Sequence, residues 1–206
     1  MRYFFFIFIF LTSSPAALFQ SESSRLIDAA GVKELVILTD EVYKIYIRSG
    51  DGEQILLTTY SEGEYYNEIH LDVERSQERV VLNSRFREIL QGGFDKLSAH
   101  KVFSMEISLQ VPQGLDVYVR SNIASVTASG NFRNFKAELQ EGYCHLEQFT
   151  GNALVNTYRG NIWVQTAGVE VKANSVAGKV QVDPNLQGQN RIQLRSVTGD
   201  IKVEKN

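Results

Sequence analysis

Hydrophobic and polar residues alternate along most of the chain, and from residue 115 to residue 204 the alternation recurs with a nearly fixed period. Small residues mark the period at spacings of 18, 18, 18 and 21 residues. We call them anchors and number the five repeats by them: Ala124, Gly142, Gly160, Gly178 and Gly199. A period of this size is typical of solenoids, in which each repeat stacks on its neighbours.

Four positions of each repeat are apolar or small in all five repeats, whereas the residues between them are mostly polar. Because side chains along a strand point to alternate faces, each repeat predicts two short strands with one inward face. We call the strand before the anchor the first limb and the strand after it the second limb. The inward residues are Val117, Phe135, Ala153, Val171 and Ile192; Val119, Ala137, Val155, Ala173 and Leu194; Val126, Cys144, Ile162, Val180 and Ile201; and Ala128, Leu146, Val164, Val182 and Val203.

The anchors predict corners between the limbs, since glycine adopts backbone conformations that other residues avoid. A hydroxyl residue stands three positions before the anchor in four repeats, where it can bond the turning backbone. These residues are Ser121, Thr157, Ser175 and Ser196, whereas Leu139 departs from the pattern. The sequence therefore predicts an all-β fold, a single-stranded parallel β-helix (β-solenoid) of about five C-terminal rungs. A β-sandwich with coincidentally spaced glycines is the alternative.

The region before the repeats also alternates. Runs at 42–48 and 54–60, and at 68–74 and 79–83, predict two hairpins or irregular opening coils of the same stack. The less regular stretch 84–101 predicts a surface loop or cap, and 103–111 predicts a further strand. The last strand, 201–203, is expected to lie at a sheet edge that the charged tail protects.

The N-terminus has the pattern of a secretory signal peptide, which we place at residues 1–20. Arg2 precedes an apolar run at 3–11, and small and polar residues follow. The run is too short for a stable membrane span, although an uncleaved anchor is the alternative. We expect a flexible spacer at 21–31 and one β-solenoid domain at 32–206, with its repeat core at 115–204. The predicted location is the periplasm or the cell surface.

Composition narrows the partners and the chemistry. The net charge is −3 and no basic run exists, which disfavours nucleic-acid binding. The single cysteine, Cys144, permits no disulfide within one chain, and no cysteine near the signal could carry a lipid, so a lipoprotein is not expected. Cys144 lies on an inward column, which predicts a core residue rather than a reactive thiol.

No catalytic constellation is visible, and we predict no enzyme activity, no metal and no cofactor. The histidines are isolated in sequence, and the outward columns lack acids stacked on adjacent rungs, which polysaccharide cleavage would need. His145 and Trp163 occupy equivalent outward positions on adjacent rungs, with Tyr143 near them. These rings are expected either to stabilise the sheet laterally or to form a surface that packs against a sugar or a protein. The three histidines are His70, His100 and His145.

Several segments resemble the DUF4097/DUF2807 group of exported bacterial proteins, which are labelled adhesins or head GIN domains. The start of that group's repeat region is similar to 111–121 (VPQGLDVYVRS), and its S-x-x-G-D-I-x-V rung is similar to 196–203 (SVTGDIKV). Looser copies stand at 175–182 and 157–164, and the likeness covers about 32–203. It implies a single-stranded parallel β-helix in the envelope or on the surface, and it supplies no catalytic residues.

Pattern and resemblance together predict a non-enzymatic exported envelope protein, an adhesin-like β-solenoid that presents a surface to an envelope protein or a glycan. A carbohydrate-active β-helix enzyme is one alternative. A structural or regulatory envelope protein without an adhesive role is another. No membrane span is expected after signal cleavage, and the oligomeric state stays open.

Overall fold

The computed structural model describes residues 20–63, 69–86 and 103–206, and these ranges form 15 strands and no helix. The described chain is therefore all-β. The strands are β1 (Gln20–Asp28), β2 (Glu34–Leu38), β3 (Val42–Gly50), β4 (Gln54–Gly63), β5 (Ile69–Arg75), β6 (Arg79–Phe86), β7 (Phe103–Pro112), β8 (Asp116–Ser121), β9 (Ser125–Glu141), β10 (Cys144–Arg159), β11 (Ile162–Thr166), β12 (Val169–Ser175), β13 (Val180–Val182), β14 (Asn190–Thr198) and β15 (Ile201–Lys205).

All 15 strands belong to one hydrogen-bonded sheet that mixes parallel and antiparallel pairs. The pairs β1–β4, β4–β7 and β5–β6 are antiparallel. The pairs within the repeat core are parallel. A fully parallel β-helix therefore does not describe the whole chain, because its N-terminal strands pair in the opposite sense.

The repeat register follows the anchors. Cys144 pairs with Val126 on one side and with Ile162 on the other, so strands one period apart are neighbours. Strands β9 and β10 each run from the second limb of one repeat into the first limb of the next. Inward side chains of both limbs belong to one apolar core, as the alternation predicts.

Repeat five lies between repeats three and four, which the sequence did not predict. In the second limb, Ile201 pairs with both Ile162 and Val180. In the first limb, β14 lies between β10 and β12. After β11 the chain leaves the neighbouring position in the sheet empty and forms β12 and β13 one position further out. After β13 it comes back, and β14 and β15 fill the empty position. The expectation that the last strand forms a sheet edge is wrong, because β15 is an interior strand.

This order explains which predicted core residues are buried. The inward residues of repeats one, two, three and five are buried. In repeat four, Val171 and Ala173 are only partly buried, and Val180 and Val182 are 41% and 38% exposed. Among the residues that the structure describes, repeat four is the outermost repeat, and no further coil covers its inward side chains.

The N-terminal strands show a second insertion. β7 lies between β3 and β4, so the first predicted hairpin, 42–48 with 54–60, does not form. The second predicted hairpin forms as the antiparallel pair β5–β6. β2 and β3 pair in parallel with β8 and β9, so residues 34–50 make an opening coil of the stack.

The segment expected to be a flexible spacer, 21–31, instead contains β1, which pairs with β4 from Gln20 to Asp28. An antiparallel partner satisfies its backbone groups, which the polar composition of the segment did not reveal. Residues 1–19 of the proposed signal peptide at 1–20 and most of the predicted loop at 84–101, including His100, lie outside the described residues.

The corners are tight because anchor backbones touch one another. A Cβ added at Gly160 would lie 1.7 Å from the carbonyl oxygen of Gly142. A Cβ at Gly199 would lie 2.2 Å from the carbonyl oxygen of Gly160. The backbones of neighbouring repeats approach so closely at these corners that only a residue without a Cβ fits.

The predicted corner hydroxyls bond the turning backbone. Thr157 and Ser196 both donate to the carbonyl of Gly160, at 2.9 and 3.2 Å, and Ser175 donates to that of Gly199 at 2.7 Å. Ser121 Oγ accepts the backbone N–H of residue 124 at 3.0 Å. The opposite corner is filled by Phe132, Phe135 and Phe149, whose ring centroids lie 5.7–6.0 Å apart.

Candidate binding face on the second limb

Tyr143, His145 and Trp163 form a continuous row of rings, which we call the aromatic patch. His145 pairs with Trp163 across β10 and β11, and their ring centroids are 5.2 Å apart at 86°. The rings of Tyr143 and His145 are 4.5 Å apart at 34°. The structure thus brings together the three residues singled out in the sequence, in geometries favourable for aromatic pairs.

Strict alternation along the strands directs these rings outward. His145 stands between Cys144 and Leu146, which are 0% and 1% exposed, and is itself half-buried. Trp163 stands in the same way between two buried residues of β11. The patch is therefore held on a rigid sheet whose other face is packed core.

Two residues of the inserted β15 fix Trp163. Its Nε1 donates to Glu204 Oε2 at 3.0 Å. Lys202 Nζ lies 2.6 Å from Glu204 Oε1 and 6.0 Å from the centroid of the Trp163 ring. The hydrogen bond from Lys202, which is the larger cause, and the hydrogen bond from Trp163 both lower the pKa of Glu204. The sequence did not predict the hydrogen bond between Trp163 and Glu204, because this bond depends on repeat five lying beside repeat three.

His145 is a neutral ring near neutral pH. Burial lowers its pKa from the usual value of 6.5, and the charge of Glu147 only partly opposes this. A neutral imidazole offers one donor and one acceptor as well as a flat face. The patch can therefore combine ring packing with hydrogen bonding.

The aromatic patch continues toward the N-terminal strands. Thr127 pairs with His145 and also with Tyr46 of β3, which is 38% exposed. A groove of about 460 Å³ runs alongside, one step further along the strands. We call it the polar groove; it is lined by Arg48, Ser49, Ser129, Gly130, Glu147, Gln148 and Gln165.

Gln148 marks an irregularity in this groove. Its φ of 46° lies in the left-handed region, which a residue with a side chain rarely occupies. It is the extra residue of a β-bulge, because Glu147 pairs with Ser129 and Phe149 pairs with Gly130. The bulge projects an exposed amide side chain into the groove beside Glu147.

Asp183 and Glu204 are two acids that lie side by side at the ends of adjacent strands. Because β13 pairs with β15, Asp183 follows directly beside Glu204 and donates its N–H to the carbonyl of Val203. Both carboxyl pKa values are lowered, that of Asp183 mainly by the backbone N–H of Asn185. Neither carboxyl has the raised pKa of a general acid for glycoside cleavage.

The remaining candidate groups offer little chemistry. Burial raises the pKa of the Cys144 thiol to about 12, as expected for a core cysteine. Across 20–63, 69–86 and 103–206, no group of three or more His, Cys, Asp or Glu side chains is placed to hold a metal ion. In the same ranges, no helix is long and apolar enough to cross a membrane.

One of the similar solved structures shares the fold. A crystal structure of a "putative cell adhesion protein" from Clostridium sporogenes matches with a TM-score of 0.62 at 15% identity, covering 91% of this chain and 100% of that one. A "putative adhesin" from Bacteroides fragilis matches at 12% identity over 89% of this chain and 97% of that one, with a TM-score of 0.39. No family model matches the sequence, and no curated protein matches it significantly.

Proposed function

We propose that this protein is an exported, non-enzymatic, adhesin-like β-solenoid of the DUF4097/DUF2807 type that binds a glycan of the envelope or cell surface. The aromatic patch beside the polar groove is the observation that carries the proposal. The patch offers ring faces, and the groove offers carboxylate, amide and guanidinium groups within the same sheet face.

This combination suits a sugar better than a flat protein surface. A pyranose ring has an apolar face of C–H groups and an edge of hydroxyls, so it needs a ring to pack on and polar groups at its rim. Tyr143, His145 and Trp163 supply the first. Glu147, Gln148 and Gln165 supply the second.

Export and fold support the same proposal. The N-terminal pattern of Arg2 and the apolar run at 3–11 is that of a signal peptide. The fold is shared with a protein described as a cell adhesion candidate. Hydrogen bonds lower the pKa of both Asp183 and Glu204, whereas a general acid for glycoside cleavage has a raised carboxyl pKa.

A Trp163→Ala variant tests the proposal against a panel of envelope and surface glycans. Binding measured by calorimetry or on an array is expected to weaken at least about tenfold, since a buried aromatic contact contributes on the order of 1–2 kcal/mol or more. Tyr118→Ala is the matched control, because Tyr118 is an outward, half-buried ring on the first limb. A Trp163→Ala protein that folds and keeps all glycan binding would remove the proposal.

The other two functions have distinct signatures. A carbohydrate-active enzyme would release products from one of the glycans, and Glu204→Gln would abolish that release. A structural or regulatory envelope protein would bind none of them, and deletion of its gene would alter the envelope-stress response without altering attachment. Surface labelling of the native protein distinguishes the cell surface from the periplasm.

A further inference from the structure

Repeat four leaves the stack open at one end. Val180 and Val182 point inward by register, yet they are 41% and 38% exposed. Their equivalents in repeat five, Ile201 and Val203, are 1% and 2% exposed. Repeat proteins ordinarily protect a terminal coil with polar residues, and this coil has valines instead.

The same end carries free strand edges. Among the described residues, β12 pairs only with β14, and β13 pairs only with β15. In a parallel ladder, successive residues bond to opposite sides. Asp183 donates its N–H to Val203 of β15, so the N–H of Val182 points away from β15 toward the open side. An edge with unpaired donors and acceptors is a template for another strand.

Charge selects what can dock there. Lys179 and Asp183 flank β13 and lie two residues on either side of Gln181. In an antiparallel pair of two β13 edges centred on Gln181, each Lys179 meets the partner's Asp183, and Val180 meets the partner's Val182. A parallel pair would place like charges opposite each other, which is unfavourable.

We propose that a second copy of this chain docks end to end on this edge, with its β13 antiparallel to the first and Gln181 at the centre. The contact covers the valines of repeat four and extends the sheet across two chains. A two-fold axis perpendicular to the sheets keeps the second limbs of both copies on one side. The dimer then presents two aromatic patches on a common face, which can bind a repetitive ligand with avidity.

A single introduced cysteine tests this arrangement. In an antiparallel pair, facing Cα atoms lie about 4.5–5.5 Å apart, within the range of about 4.4–6.8 Å that a disulfide spans. Gln181→Cys in the exported protein is therefore expected to form a disulfide-linked dimer on mild oxidation. Cys144 does not compete, because it is 0% exposed. Gln193→Cys is the matched control, since Gln193 is exposed on the interior strand β14.

The expected yield of Gln181→Cys dimer exceeds that of the Gln193→Cys control at least about tenfold, and Lys179→Glu in the same chain lowers it by about the same factor. Light scattering of the unmodified protein is expected to show twice the monomer mass, with no larger species. Equal crosslinking of both cysteine variants, a monomer at all concentrations, or a growing head-to-tail series would overturn the proposal. Because a monomer can still bind glycans through Trp163, these outcomes leave the proposed function to its own test.

Discussion

A methyl group on residue 160 would lie 1.7 Å from the carbonyl oxygen of Gly142. Gly160→Ala is therefore expected to lower the free energy of unfolding by about 1–3 kcal/mol or more, because both partners are backbone and cannot rotate away. Gly50→Ala is the matched control: nothing lies within 4 Å of its added Cβ, so the change should stay within about 0.5 kcal/mol.

Urea unfolding of the two glycine variants, followed by circular dichroism, measures this difference. Equal midpoints would show that the corner relaxes at little cost and that close backbone approach does not explain the glycine at residue 160. A retained m-value in both variants would confirm that the change lies in the native stability.

Single residues were the scale at which sequence reasoning succeeded best. Alternation placed Cys144 in the core and His145 beside Trp163, because inward and outward positions depend only on parity along a strand. Glu204 was missed as the partner of Trp163, since parity does not tell which strand comes next. Phe132 and Phe149 were missed because they fill a corner, where alternation is interrupted.

At the scale of strands, β15 is an interior strand and β13 is an edge strand of the single chain. A proline substitution should therefore destabilise β15 more than β13. Lys202→Pro is expected to destabilise by about 1–3 kcal/mol, because proline removes a ladder donor and leaves a buried carbonyl unpaired. At concentrations low enough for the chain to be monomeric, Val182→Pro is expected to cost less than about 1 kcal/mol, because the N–H of Val182 faces away from β15, toward the edge that the proposed dimer covers.

Thermal and urea unfolding of these two proline variants gives the ranking directly. A sequential order of repeats would predict the reverse, with β13 intolerant and β15 tolerant. That reversed result would contradict the inserted position of repeat five.

Pairing was the part of the fold that local pattern could not determine. Each repeat offers the same inward face and nearly the same length, so several orders of stacking bury similar apolar surface. A hairpin was predicted for the runs 42–48 and 54–60, but the strands there, β3 and β4, both bond to β7 rather than to each other. A turn signal specifies that the chain reverses, whereas partner choice depends on strands that arrive much later in sequence.

For the whole molecule, the strand order predicts a contrast between two shortened chains. A chain that ends at residue 189 loses β14 and β15, the strands with which β12 and β13 pair. We expect repeat four of this chain to lose its ordered pairing too, so that its backbone amides exchange with solvent. A chain that lacks residues 169–189 loses only the outermost coil and restores an interval of 18 residues between Gly160 and Gly199.

Hydrogen exchange and limited proteolysis compare the two shortened chains. The internal deletion is expected to unfold cooperatively, and the truncated chain is expected to be cleaved within 169–182 at native conditions. Protected amides in 169–182 of the truncated chain would show that repeat four can pair with repeat three directly, and the inserted order would then not be required.

The inserted position of β15 also has a consequence in time. Synthesis delivers repeat four before repeat five, yet the strands with which repeat four pairs, β14 and β15, are made after it. If the repeats fold one after another in sequence order, this stepwise addition can therefore proceed only as far as repeat three. β14 and β15 then pair with repeat three on one side and with repeat four on the other, so the attachment of repeat four to the sheet is coupled to that of repeat five.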